Sequence, residues 1–322
     1  MKRLLPALCC LLLAGCGLGK SERHIQLILD WKAQMEHAGF FVALEEGYYA
    51  AEGLKVEILE GNGAPTTARV VGNGVYPIGI ASGSATVMAG ARKIPIVSVA
   101  VINQHSPVAV YSLAESGIIQ PGDLVGKRIG VNVGGTKHRE FQAFLRKVGI
   151  QEDQIELVGM TEASPAPLLA GQVDAMLGYT EDQPVTVELR GQKVSRILLA
   201  DHGIDLYSTN VVVNADYLKR NPGKVRRFLR ASLKGWRKAI ADPDLAVSAY
   251  MAHRPESDEA FNRANFRNLI PILQSDDTRK TGVGTQTAAR WTHTRDILHD
   301  LGMIDRKIDV AEIYTNDYLP SP

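Results

Sequence analysis

Ten short apolar runs, rich in valine and isoleucine and spread between residues 25 and 214, limit this chain more tightly than any other feature. They are IQLILDW from Ile25, LKVEIL from Leu54, YPIGIA from Tyr76, IPIVSVAVI from Ile94, PVAVYSL from Pro107, RIGVNV from Arg128, IELVGM from Ile155, DAMLGY from Asp174, SRILLA from Ser195 and TNVVVN from Thr209. Runs of this kind suit strands buried on both faces. The segments between them, FFVALEEGYYAAEG, TTARVVGNG, SATVMAG, HREFQAFLRKVG and APLLAGQ, carry helical patterns, several closed by glycine. Strand then helix, repeated, predicts an α/β protein with mostly parallel sheets covered by helices.

The pattern changes after Asn214. YLKRNPGKVRRFLRASLKGWRKAIADPDLAVSAYMAHR has apolar residues at three- and four-residue spacing, including Val225, Phe228, Leu229, Leu233, Trp236 and Ile240. It predicts two helices broken at Asp242-Pro243, and the remainder through TAARWTHTRDILHDLGMI reads as mostly helical. Near NQHSPVAVYSL and again near YSTNVVVN an apolar run follows polar residues with no helix before the next turn. The chain is therefore expected to leave a first lobe at the former and return at the latter. The expected divisions are 25–112 for the first part of lobe 1, 113–203 for an inserted lobe 2, and 204–322 for the return and the C-terminal helices. Two such lobes leave a cleft between them, a natural ligand site.

The first residues, MKRLLPALCCLLLAGCGLGK, combine Lys2 and Arg3 with an apolar run shorter than the roughly 20 residues a membrane span needs, so they read as an export signal, residues 1–15. Leu13-Ala14-Gly15-Cys16 resembles the lipobox of bacterial lipoproteins, which implies a lipidated Cys16, a tether over 16–24 and a periplasmic protein anchored to a membrane. An ordinary secretory cleavage site that ends in cysteine is the other reading. Cys9 and Cys10 leave with the signal, and the mature chain has no cysteine beyond Cys16. That excludes disulfides, thiol catalysis and cysteine metal sites within one chain. Losing Lys2 and Arg3 takes the formal charge from +1 to −1, which gives no reason to expect a nucleic-acid partner.

LDWKAQMEHAGFFVALEEGYYAAEGLKVEI, with DLVGKRIGV, YSTNVVVNADYLKRNPGKVRRFLRASLKGWRKAIADPDLAV and the terminal YTNDYL, resembles the ABC-transporter substrate-binding proteins related to the thiamine pyrimidine synthases. Sulfonate, taurine and nitrate binding proteins share several of these elements. The resemblance implies the type II periplasmic-binding-protein fold, closing as a monomer around a small solute and delivering it to a permease and ATPase, without catalysis or cofactor. Relatives nearest the opening motif are associated with formylaminopyrimidine or hydroxymethylpyrimidine, others with riboflavin. A eukaryotic branch makes the pyrimidine with pyridoxal phosphate and iron. Its motif histidine matches His37, but its cysteine-rich segment has no counterpart in the mature chain.

Trp31 follows the carboxyl end of a strand, where open α/β sheets bind ligands, and its ring is placed either to stack on a heterocycle or to pack at the sheet edge. Phe40 or Phe41 offers a second apolar surface, with one of the two expected to face the sheet core. His37, just ahead of a helix, either hydrogen-bonds a ligand, as the family pattern suggests, or fixes the helix start. No second metal-type residue is expected beside it, so no metal is expected. Ser82 and Ser84 stand at a strand-to-helix turn as caps or ligand contacts, and Asn103 lies near the first crossing. Gly135 and Thr136 open a helix and form a potential anion seat, with Lys137 and His138 adding positive charge. Tyr179 is a second stacking ring, while Glu181 or Asp182 suits the donor edge of an aminopyrimidine or ordinary helix-start electrostatics. Tyr207 precedes the return strand.

Overall fold

The structure, a computed structural model, describes residues 23–161 and 164–320. The expected export signal, Cys16 and the expected tether before Arg23 lie outside the described residues.

Each of the ten apolar runs holds a strand: β1 (His24–Ile28), β2 (Lys55–Leu59), β3 (Ile78–Ser82), β4 (Ile96–Val101), β5 (Val108–Leu113), β6 (Arg128–Val131), β7 (Glu156–Gly159), β8 (Ala175–Tyr179), β9 (Val194–Leu198) and β10 (Thr209–Asn214). They form two five-stranded sheets, ordered β2-β1-β3-β10-β4 and β7-β6-β8-β5-β9. The two orders have the same plan. In each, three strands run parallel through strand–helix–strand units. The fourth position is filled by a strand arriving from the other lobe, and it runs antiparallel to both neighbours. The sheets are thus mixed rather than mostly parallel, because a strand that enters through a crossing needs no helical return and can pair head to tail.

The crossings also fix the lobe boundaries. β5 pairs with β8 and β9, so lobe 2 begins ahead of Val108 and not at residue 113. Outgoing and returning chains run side by side: the Ile102 N–H donates to Thr209 O at 2.8 Å and the Ser208 N–H to Asn103 O at 3.2 Å. Asp205 ties them together, accepting from His105 Nδ1 at 2.8 Å, the Ser106 N–H at 3.0 Å and Arg290 Nη1 at 2.7 Å. Burial opposes the charge on Asp205, but His105 and Arg290 outweigh it and hold its carboxyl below the usual range.

Helices complete the cores. FFVALEEGYYAAEG forms two, Ala38–Glu45 and Tyr48–Ala51, divided at Gly47, whose φ of 69° glycine adopts without the steric cost other residues bear. The segment after Asn214 forms three helices and not the expected two: Ala215–Arg220 ends ahead of Pro222, and the expected break at Asp242-Pro243 divides Pro222–Ala241 from Pro243–Met251, which Asp242 caps by accepting the Leu245 N–H. Helix Ala38–Glu45 lies against Pro222–Ala241 at very short range: a Cβ on Gly39 would stand 2.2 Å from the Trp236 ring. This contact centres the lobe 1 core, where Phe40 meets Trp236 edge-on at 5.6 Å and Tyr49 stacks on Phe228. Helix Ala288–Asp300 straddles the lobes, sending Trp291 and Leu298 into a cluster that includes Phe141, Phe144 and Val87. No helix among the described residues is long and apolar enough to cross a membrane.

Candidate functional site

The cleft between the lobes holds a cavity of about 720 Å³. Its lobe 1 wall is made where β1 and β3 end: Asp30 and Trp31 follow β1, and Ser82 and Ser84 close β3. Its lobe 2 wall comes from the start of helix Thr136–Lys147 and the β8 end, bringing Thr136, Lys137, Glu140, Tyr179, Glu181 and Asp182 together. Ser106 to Val108 and Leu206 to Thr209 form the floor at the crossings. Both sheets therefore present strand carboxyl ends to the cavity, the position expected for a ligand in open α/β sheets.

Trp31 is 46% exposed beside the cavity, and Tyr179 is 38% exposed on the opposite wall. The Lys137 ammonium sits 4.2 Å from the centre of the Tyr179 ring. Ser82 caps helix Gly83–Ala91 by accepting the Ala85 N–H at 3.1 Å, and its hydroxyl meets that of Ser84 at 3.1 Å. Capping and cavity lining thus coexist at this turn.

The carboxylates give lobe 2 its character. Glu181 is 6% exposed, and its Oε2 has no hydrogen-bond partner among the described residues. Burial pushes its carboxyl up to about 8. Glu140 is equally buried, touched by the Ser106 hydroxyl at 3.5 Å and pushed by burial to about 7. Asp182 is also raised by burial, and Gln183 donates to it at 2.7 Å. From lobe 1, Glu36 lines the same cavity, and burial with the neighbouring Asp30 carries it to about 7. Low polarity disfavours the charged form of every one of these groups, and it lowers the Lys137 ammonium as well.

Several expected contacts lie elsewhere. Phe40 and Phe41 are buried in the lobe 1 core, Phe41 against Tyr250 and His253, because later helices cover every side of Ala38–Glu45. His37 is fully buried and off the cavity wall: its Nδ1 accepts the Gln34 N–H at 3.2 Å and its Nε2 donates to Asp30 Oδ1 at 2.9 Å. That is the helix-start role. Asn103 is 1% exposed behind the crossing, and neither amide atom has a partner among the described residues. Tyr207 reaches the cavity, but its hydroxyl is engaged by the Thr287 N–H at 3.0 Å.

In the expected anion seat both glycine N–H groups are satisfied from within, while Thr136 lines the cavity. The Gly134 N–H donates to His138 Nδ1 at 3.1 Å and the Gly135 N–H to Asn132 O at 3.2 Å. Gly135 instead lines a side cavity of about 310 Å³ behind Tyr179, which shares Thr136, Lys137, Tyr179 and Gln183 with the cleft and has Tyr111, Met160 and Met176 in its wall.

Carboxylates do accompany His37, contrary to the sequence expectation: ligand atoms of Asp30, Glu36 and His37 lie within 4.8 Å of one another. The chemistry of the ring still argues against a metal. A neutral imidazole has one lone pair in its plane, and the Gln34 N–H already occupies it, so Nε2 carries the proton that Asp30 accepts.

Sequence reasoning missed Asp30, Glu36, Glu140, Tyr250, Phe261, Asn262 and Asn265, all on the cavity wall. Glu140 was recoverable, since it stands three residues after Lys137 and four after Thr136, on one helix face. The last four come from helices Pro243–Met251 and Glu259–Leu273, and no local signal brings them there.

Comparison with known proteins places this geometry. The family model described as NMT1/THI5 like matches residues 34–246. A riboflavin-binding protein, RibY, of Chloroflexus aurantiacus is 27% identical over 308 residues, covering 92% of this chain and 86% of the relative. A formylaminopyrimidine-binding protein of Halalkalibacterium halodurans is 24% identical over 270 residues, covering 83% and 82%. A 4-amino-5-hydroxymethyl-2-methylpyrimidine phosphate synthase of Aspergillus parasiticus is 27% identical over 312 residues, covering 93% and 88%. Among solved structures, the periplasmic aliphatic sulphonate binding protein SsuA of Escherichia coli superposes with a TM-score of 0.69 at 15% identity, covering 92% of this chain and 99% of that one. The fold is that of the type II periplasmic binding proteins.

Proposed function

The chain belongs to the NMT1/THI5-like family, and from that premise we propose that it is the solute-binding component of an ABC importer, holding a small planar nitrogen heterocycle in its cleft without catalysis. The leading ligand is a thiamine pyrimidine precursor, formylaminopyrimidine or hydroxymethylpyrimidine. The location is the periplasm, with Cys16 as the lipid anchor.

The observation that carries this reading is the buried Glu181 carboxyl, whose Oε2 has no partner among the described residues, in a cavity flanked by Trp31 and Tyr179. Flat rings take the faces of a heterocycle. A carboxyl group is suited to its edge: it accepts from an exocyclic amine and, when protonated, donates to a ring nitrogen. A sulfonate or nitrate suits this wall less well, since Lys32 and Lys137 are its only cationic side chains among the described residues, beside the carboxyl groups of Asp30, Glu36, Glu140, Glu181, Asp182 and Asp258. Riboflavin is the second reading, supported by cavity size: about 720 Å³ with a further 310 Å³ behind Tyr179 is more than a single six-membered ring needs.

Thermal shift and calorimetry with formylaminopyrimidine, hydroxymethylpyrimidine, riboflavin, taurine and nitrate at equal concentration test the reading. Binding of a heterocycle near micromolar, about −8 kcal/mol, is expected. A response to the anions alone would overturn it, and turnover of a bound heterocycle would replace a receptor with an enzyme.

A further inference from the structure

Away from the cleft, helix Pro222–Ala241 carries seven basic residues and no acidic one. Its inner side is apolar, with Val225, Phe228, Leu229 and Trp236 buried. Its outer side exposes Arg226, Arg230, Lys234, Arg237 and Lys238, and the preceding helix Ala215–Arg220 adds exposed Lys219 and Arg220. Carboxylates on the border include Glu52, paired with Arg230 at 2.9 Å, Asp242, paired with Lys238 at 3.5 Å, and Asp216 and Asp317. They are outnumbered by the seven outward cations. Over Arg226 to Lys238 the charged stripe is about 18 Å long.

The start of the described chain lies beside this stripe. Arg23 O accepts the Lys55 N–H at 2.8 Å, and Glu52 O, three residues earlier, accepts from Arg227 Nη1 at 3.0 Å. Cys16 is seven residues before Arg23, a reach of at most about 25 Å. An anchor at Cys16 would therefore keep this face within reach of the membrane.

We propose that the outer face of Pro222–Ala241 rests on anionic lipid headgroups. The orientation rests on the reading of Cys16 as a lipid anchor. An acidic protein is the other partner a basic face suits, but protein interfaces are built around apolar and aromatic cores, and the five exposed side chains named here are all cationic. A headgroup layer needs only charge, and a lipid anchor joined to a basic patch is a two-signal attachment.

The described fold lies within residues 23–320, so a chain starting at Gly17, exported behind a cleavable signal, retains every contact above. Cosedimentation with phosphatidylglycerol–phosphatidylcholine vesicles, against phosphatidylcholine alone, tests the face without lipid or solute. Binding to the anionic vesicles that fades with added salt is expected. Combined Arg226→Gln, Arg230→Gln, Lys234→Gln and Arg237→Gln should reduce it by more than about tenfold, while Arg139→Gln, Arg146→Gln, Lys147→Gln and Lys193→Gln in lobe 2 leave it unchanged. Circular dichroism and solute affinity, measured on both variants, should match the parent and show that the fold is intact. Absence of binding, equal loss in the lobe 2 variant, or binding to immobilised polyglutamate but not to vesicles would overturn the proposal. Lipidation is read separately, from the mass of the exported full chain with and without Cys16→Ser, so the two readings can fail independently.

Discussion

The two walls of the cleft deal with their polar groups in opposite ways. On the lobe 1 side, the groups next to the motif are satisfied by the protein itself: His37 is held between Gln34 and Asp30, and Ser82 caps a helix. On the lobe 2 side, Glu181 leaves an oxygen unpartnered among the described residues, and Glu140 has one long contact to Ser106. Leaving buried carboxyl groups so poorly solvated is unfavourable in the empty protein. A site arranged this way keeps its hydrogen-bonding capacity for a guest. In the proposed complex lobe 1 would supply the Trp31 ring, and lobe 2 the carboxyl groups that meet the edge of the ligand.

The sharpest way to break that contrast is in lobe 1. Phe40→Ala empties a fully buried site against Trp236 and should cost about 3–5 kcal/mol of stability in urea unfolding. Solute affinity of the folded fraction should be unchanged; a matching loss of affinity would return the phenylalanines to the binding surface. Next in size is Glu181→Ala, with an expected affinity loss of about 1.5–3 kcal/mol by calorimetry and no loss of stability, because the deleted carboxyl is poorly solvated. Unimpaired binding would place ligand reading in lobe 1 instead.

A third test uses pH. Glu36 and Glu140 titrate at about 7 and Glu181 at about 8, all above their ordinary value of 4.5. Between those limits the folded protein binds more protons than the unfolded chain, so stability from these groups is full below pH 4.5 and is lost as pH rises through 7 to 8. The thermal midpoint of the solute-free protein should fall between pH 5 and 8.5, and Glu181→Gln should flatten the slope. A midpoint that rises over this range would mean the glutamates are solvated or paired.

What could be read from the sequence follows how local each cause is. The strands stood out because burial on two faces demands near-continuous apolar runs, and Trp31 was placed by its position just past one of them. Pairing direction could not be read, since nothing within PVAVYSL or TNVVVN states which neighbours it will meet. Phe40 and Phe41 were misassigned for a similar reason: their burial is imposed by Trp236 and Tyr250, two hundred residues away in the chain. His37 carried a motif signal that did not distinguish holding a ligand from holding the loop beneath it. Phe261, Asn262 and Asn265 reach the cavity through tertiary packing alone.

The side-by-side crossings have a consequence for how such a protein can change. Because Ile102 and Asn103 lie within hydrogen-bond distance of Thr209 and Ser208, everything between begins and ends at neighbouring points. Lobe 2 is in that sense a cassette. Exchanging it between relatives would require two adjacent splice points and leave Pro222–Ala241 and its partners untouched, so one wall of the cleft can change while the lobe 1 core is kept.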